Sequence, residues 1–233
     1  MDIAKRQSLI AMLLLPTGCA IQPLSSIQSS PDLSAVTPDA IRPPALGQSW
    51  RYKKLNYYNS QLLDTVQETI TEVGDSITIV RNSSQKGLLD SELHTHWGRV
   101  KQDPYWDTLQ TYEQAVPVWP DTFEIGQSEN FSTQYQAGTN SFKLWINIQT
   151  TLKAAEKINL DCGTFHTLRI EKLIRLDAAD SAKTNLVRRD TIWLAPEIGR
   201  WVLRETNGQF IKNGKRSTTG YEDHFRWELE NWS

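Results

Sequence analysis

The stretch Phe142-Lys143-Leu144-Trp145-Ile146-Asn147-Ile148-Gln149 alternates large apolar side chains with polar or amphipathic ones. Successive side chains of an extended chain point to opposite faces. Phe142, Leu144, Ile146 and Ile148 therefore share one face, and Lys143, Trp145, Asn147 and Gln149 share the other. The spacing predicts a strand with a dry side and a wet side. Two further segments behave alike. His166, Leu168, Ile170, Ile174 and Leu176 fall together, with Lys172 as a charged intruder among them. Tyr221, Phe225, Trp227 and Leu229 lie opposite His224, Arg226, Glu228 and Glu230.

Turn chemistry separates these runs. Thr191 to Leu194, Ala195-Pro-Glu-Ile-Gly199 and Arg200 to Arg204 read as strand, turn and strand. Val73-Gly-Asp-Ser76 is a second turn, and Asn207-Gly208, a dipeptide suited to positive φ, predicts a third. Helical periodicity is scarce, with Lys153 to Lys157 as the main short candidate. Nine tryptophans also suit strands, because a pleated surface accommodates large rings. The expectation is an all-β chain of antiparallel curved sheets forming a sandwich or a partly open barrel. Gly47-Gln-Ser49 and Gly126-Gln-Ser128 each open a strand-rich stretch, which pairs residues 46–120 with 121–233 as sub-repeats.

The first residues follow a different logic. Lys5 and Arg6 precede the apolar run Leu9 to Leu15, and Pro16-Thr-Gly18 forms a small-residue exit, the pattern of a secretory signal peptide over residues 1–18. The run is about half the roughly 20 residues that a membrane-spanning helix needs. Gly18-Cys19 resembles the end of a bacterial lipobox, with Pro16 where leucine is usual. That resemblance implies a diacylglyceryl thioether on Cys19, and Ala20 after it implies the periplasmic face of the outer membrane. Two acyl chains suffice for stable anchoring. The competing reading makes Cys19 an ordinary signal-peptide cysteine or one half of a disulfide with Cys162, the second cysteine. Residues 19–45 are rich in Ser, Pro and Gln and read as a flexible tether to a β domain over 46–233.

Removing residues 1–18 takes away Lys5, Arg6 and Asp2, leaving 23 basic and 26 acidic side chains, a balance of −3. Such a chain offers no net positive field for nucleic acid. Asp161-Cys-Gly-Thr-Phe165, Leu168-Arg-Ile-Glu171 and Thr191 to Glu205 resemble a family of uncharacterised proteobacterial envelope proteins, many of them lipoproteins, with a Gly-Thr-Phe turn and a Trp-x-Ala-Pro hairpin. Gly47 to Tyr52 and Asn56-Tyr-Tyr-Asn59 share that family's opening. Leu160-Asp-Cys162 stands where Val-Pro-Ala is usual, and Leu194 where an aromatic is. The resemblance implies architecture and compartment, and brings no catalytic residues.

Candidate sites are few. His94 and His96 share a strand face at a spacing zinc can use, yet no third ligand is near in sequence, so they read as solvent-facing histidines without metal. No cofactor motif occurs. Cys162 and His166 flank a turn, and with His94 and His96 they are the residues on which a periplasmic hydrolase would rest. Glu68 with Glu72, and Asp177 with Asp180, read as solvated carboxylates. The aromatic loop from Asp103 to Tyr112 and the segment Val116 to Pro120 offer Tyr105, Trp106, Tyr112 and Trp119. These four either stack on a glycan or plug the ends of the core. A curved apolar face also admits an acyl-chain carrier. The reading adopted is a non-enzymatic envelope lipoprotein that binds a partner protein, a glycan or an apolar ligand.

Overall fold

The computed structural model describes residues 27–29, 38–140, 142–178, 180, 182–214 and 217–233. The expected signal peptide and Cys19 lie outside them. Among the described residues fourteen antiparallel strands follow one another: β1 (Ile27–Ser29), β2 (Ser49–Asn56), β3 (Leu62–Val73), β4 (Ile77–Ser83), β5 (Gly87–His96), β6 (Arg99–Asp103), β7 (Gln110–Pro117), β8 (Ser128–Ala137), β9 (Leu144–Leu160), β10 (Gly163–Leu176), β11 (Lys183–Ala195), β12 (Arg200–Lys212), β13 (Thr218–Tyr221) and β14 (Phe225–Trp232).

Twelve of them form a ring. Each strand from β2 to β12 pairs with the next, β12 pairs with β14, and β14 closes on β2. The short β13 lies beside β12, and β1 runs along the part of β9 that β8 does not reach. Twist and one apolar face favour closure, since a closed sheet leaves no unpaired edge. The sandwich alternative therefore gives way to a closed barrel. Residues 46–120 and 121–233 are successive arcs of this one ring. The two Gly-Gln-Ser turns are locally alike: Gly47 and Gly126 have φ of +83° and +91°, and their N–H groups bond Ile70 O and Leu152 O.

The meander places the β2–β3, β4–β5, β6–β7, β8–β9 and β10–β11 turns at one end, here called the mouth, and the intervening turns at the other, the floor. Parts of the expected tether are docked on the floor. Arg42 N bonds Pro196 O at 2.8 Å, Trp97 Nε1 bonds Arg42 O at 3.2 Å, and Ile41 is buried. The Ala195–Gly199 turn forms as expected, with Gly199 at φ +70°. A Cβ there would lie 2.5 Å from Arg42 O.

Apolar side chains fill the lumen in two clusters. One gathers Trp50, Tyr52, Ile70, Ile79, Leu168 and Trp201, joined by Ile158 and Phe165 from the β9–β10 hairpin. The other gathers Val100, Tyr112, Val116, Tyr135, Ile146, Ile148 and Ile174. Several local expectations change. Lys153 to Lys157 lies within β9, where a bulge skips Lys153 opposite Arg169 and Ile170 and so breaks the alternation. Phe142 precedes β9 and is exposed, and His166 is exposed on a part of β10 that extends past β11. Asn207-Gly208 lies inside β12, facing Arg189 and Arg188. Glycine leaves room there for the Glu222 carboxylate that Arg188 holds, since a Cβ on Gly208 would lie 2.0 Å from Glu222 Oε2.

Candidate functional site: a charged layer in the barrel and a groove at its mouth

Between the two apolar clusters lies a layer of ionised side chains. Glu68 of β3 faces Arg81 of β4 (Nε to Oε1, 3.1 Å) and Arg200 of β12 (Nη2 to Oε2, 2.8 Å). Arg200 also donates to Glu92 of β5, whose other partner is His94 Nε2 at 2.7 Å. His94 Nδ1 accepts the Gly98 N–H at 3.2 Å, so the ring is a neutral tautomer with its proton on Nε2. Glu68, Glu92 and His94 are fully buried, which corrects the expectation of solvated Glu68 and solvent-facing His94. His96, two residues on, is exposed.

A second group adjoins the first. Arg204 grips Asp190 with two bonds, 3.0 and 2.7 Å, and Arg188 grips Glu222 with two, 2.8 and 2.9 Å. Lys172, the intruder of the β10 face, points inward and donates to Pro117 O at 2.8 Å. Asp103 accepts from Trp106 Nε1 at 3.0 Å and lies 3.1 Å from the Tyr112 hydroxyl. Five carboxylates (Glu68, Glu92, Asp103, Asp190 and Glu222) thus meet five cations (Arg81, Lys172, Arg188, Arg200 and Arg204). Pairing and hydrogen bonding are what make such burial tolerable.

Charge placement sets the protonation states. Burial disfavours the Glu92 carboxylate, but the Arg200 charge and the hydrogen bonds from His94 and Arg200 outweigh it and hold its pKa well below the usual range. Burial pushes the Tyr105 and Tyr112 phenols well up, and it lowers Lys172 to about 8 despite the nearby Asp190.

The β6–β7 loop links this layer to solvent. Tyr105 donates its hydroxyl to Glu68, and its ring lies between the guanidinium carbons of Arg81 and Arg204, 4.2 and 4.1 Å from its centroid. Arg188 stacks 3.6 Å over Trp106. Outside them opens a groove of about 240 Å³ lined by Lys54, Asp64, Arg81, Lys86, Asp90, Tyr105, Trp106, Asp107, Phe225 and Trp227, among others. The cavity among the charges measures only about 50 Å³, room for a few waters at about 10–15 Å³ of such space each. An acyl chain does not fit there.

Of the four aromatic candidates, Tyr105 and Trp106 line the groove, while Tyr112 lies beneath them in the lumen. Trp119 sits at the floor, edge-on to Trp97 and packed on Gly98. His94, His96, Cys162 and His166 are dispersed. Cys162 lies in the β9–β10 turn with its thiol 3.3 Å from Leu229 O, and burial raises its pKa. The described residues hold no cluster of three His, Cys, Asp or Glu side chains suited to a metal. Sequence reading missed Lys54, Arg81, Arg188, Arg200 and Arg204 as site residues and placed Glu68 in solvent. Lys172 was the visible signal, a charge on a dry face.

The fold is a closed antiparallel β-barrel with a packed, partly charged interior. Two solved structures are similar to it. One is described as a "putative lipoprotein" from Parabacteroides distasonis, with TM-score 0.52 and 13% identity over 82% of this chain and 97% of that one. The other is a "putative exported protein with YmcC-like fold" from Bacteroides fragilis, with TM-score 0.51 and 13% identity over 83% and 98%. The likeness is one of fold. No protein-family model and no curated protein matches the sequence.

Proposed function

We propose that this chain is an outer-membrane lipoprotein, held at the periplasmic face through diacylglycerol on Cys19, that acts without catalysis by binding a saccharide at the barrel mouth. The observation that carries the reading is the groove: aromatic rings and hydrogen-bonding carboxylates line its open wall while the lumen behind is filled. Apolar rings beside polar groups suit the two kinds of surface a sugar presents. The anchor rests on the Gly18-Cys19 pattern, and the names of the two similar structures agree with an envelope location. The N-terminal segment docks at the floor, which turns the mouth away from the anchored end. A non-catalytic role is supported by His94, whose two ring nitrogens are both engaged in the core.

Fractionation and intact mass of the wild type beside Cys19→Ala test the anchor. Equal periplasmic solubility and unmodified mass in both sink it. Titration of the protein with envelope oligosaccharides, followed by tryptophan fluorescence, tests the groove. Binding that Trp106→Ala abolishes supports it, and no response to any saccharide refutes it.

A partner protein is the second reading. It is favoured by Tyr58, Leu88, Phe142 and Tyr221, which are 80%, 76%, 71% and 74% exposed around the mouth. Tyr58→Lys with Leu88→Lys would then abolish capture of that partner and spare saccharide binding.

A further inference from the structure

We infer that the mouth groove is built for a sugar bearing one carboxylate, a uronic acid residue, and that Lys54 is the cation that receives it. The inference rests on the saccharide reading and specifies its ligand.

Lys54 stands on β2, paired across to Asp64 on β3 and to Trp227 on β14. Its natural counter-ion is engaged by other donors. The Asp64 carboxylate accepts the Ser83 hydroxyl at 2.6 Å, the Ser84 hydroxyl at 3.1 Å and the Thr65 N–H at 2.8 Å, and these bonds hold its pKa low. The other buried cations beside the groove are engaged. Arg81 bonds Glu68 and Pro104 O, and Arg188 bonds Glu222 and Tyr105 O.

Lys54 makes no ion pair and no hydrogen bond among the described residues. Its ammonium rests 3.6 Å from the Phe225 ring centroid and 5.3 Å from that of Trp227. Burial, then the charges of Lys86 and Arg81, lower its pKa against the pull of Asp64 and Asp223. A half-desolvated cation seated on aromatic rings without a counter-ion is costly until an anion arrives.

The remaining charges narrow the ligand. Asp90 and Asp107 share the groove wall, so a dense polyanion meets repulsion while a single carboxylate on a hydroxyl-rich ring does not. The two aspartates then accept sugar hydroxyls, as ionised carboxylates do.

Calorimetry on the mature protein in detergent, with an aldobiouronic acid (one uronate on one neutral sugar), its methyl ester and acetate as probes, provides the test. Wild type is expected to bind the aldobiouronic acid at least tenfold more tightly than the ester. Lys54→Met should weaken the acid at least tenfold and leave the ester unchanged, and Lys54→Arg should retain most of the affinity. The melting temperature of Lys54→Met should change little, because no ion pair is lost and the relief of a half-buried charge offsets the lost ring contacts.

Equal binding of acid and ester, or an unaltered affinity in Lys54→Met, overturns the inference while the saccharide reading stands. If no sugar binds, the saccharide reading falls. A shift of the Lys54 ε-methylene signals with acetate then upholds the anion seat, and silence there overturns it too.

Discussion

Arg200 on β12 donates two nitrogens to the Glu92 carboxylate on β5, spanning the lumen between strands separated in the ring by β14, β2, β3 and β4. The same guanidinium bonds Glu68, so one side chain neutralises two buried carboxylates from two other strands. Such a centre does little for net stability, since desolvation offsets attraction, but its loss leaves Glu92 without a cation and Glu68 with Arg81 alone.

Arg200→Met is therefore expected to destabilise the barrel by about 3–5 kcal/mol in urea unfolding. Adding Glu92→Gln should restore part of that loss, because the charge left without a cation is then gone. A double variant no more stable than Arg200→Met would show that the coupling is absent.

Acid should loosen the same centre. The folded pKa of Glu92 lies below its unfolded value, so the stability it contributes is present above about pH 4.3 and is lost as pH falls through the folded value. Glu92→Gln should flatten the decline in unfolding free energy between about pH 5 and pH 3. An unchanged slope would remove Glu92 as the cause.

These residues also mark what sequence could disclose. Alternation in β9 and β10 placed Ile146, Ile148, Leu168, Ile170, Ile174 and Leu176 in the core, because period two is a local property. Lys172 was visible as an anomaly for the same reason. Glu68 was read as solvated because its partner Arg200 lies 132 residues away, and no local pattern reports that distance. Asn207-Gly208 misled because glycine serves a turn and a close approach equally well, and here Glu222 supplies the approach. Closure of β14 on β2 joins the two ends of the domain and depends on accumulated twist. The groove brings together Lys54, the β6–β7 loop and Phe225, so only part of it, Tyr105 and Trp106, was legible from one loop.

Gly98 is a test of the floor. Its φ is +82°, and a Cβ would lie 2.2 Å from the Trp119 ring. Gly98→Ala combines backbone strain with overpacking and is expected to cost about 2–4 kcal/mol. Pairing it with Trp119→Leu should relieve the clash and recover part of the loss, as read from melting temperatures. No recovery would place the cost in the backbone alone.

Cys162 bears on the hydrolase alternative. A thiol whose pKa is raised by burial carries less thiolate at neutral pH. Its reaction with an aromatic disulfide reagent should run at least several-fold slower than that of free cysteine at pH 7, and speed up on unfolding. A rate above that of the free amino acid would reopen Cys162 as a nucleophile.

Lys172 yields the opposite pH response to Glu92. Burial lowers its folded pKa to about 8 from an ordinary 10.5, so between those values the unfolded chain holds a proton that the folded chain has released. Stability from this residue consequently rises with pH across the window, by about 3 kcal/mol at most, and below about pH 8 the full penalty of the buried ammonium remains. Lys172→Met removes that penalty but leaves Pro117 O without its donor, so at pH 7 a net gain of about 1–3 kcal/mol is expected. Urea unfolding at pH 7.5 and pH 10 should show the wild type gaining on the variant as pH rises. A constant difference between the two proteins would mean that Lys172 keeps an ordinary affinity for its proton inside the barrel, and that the surrounding carboxylates fully offset its desolvation.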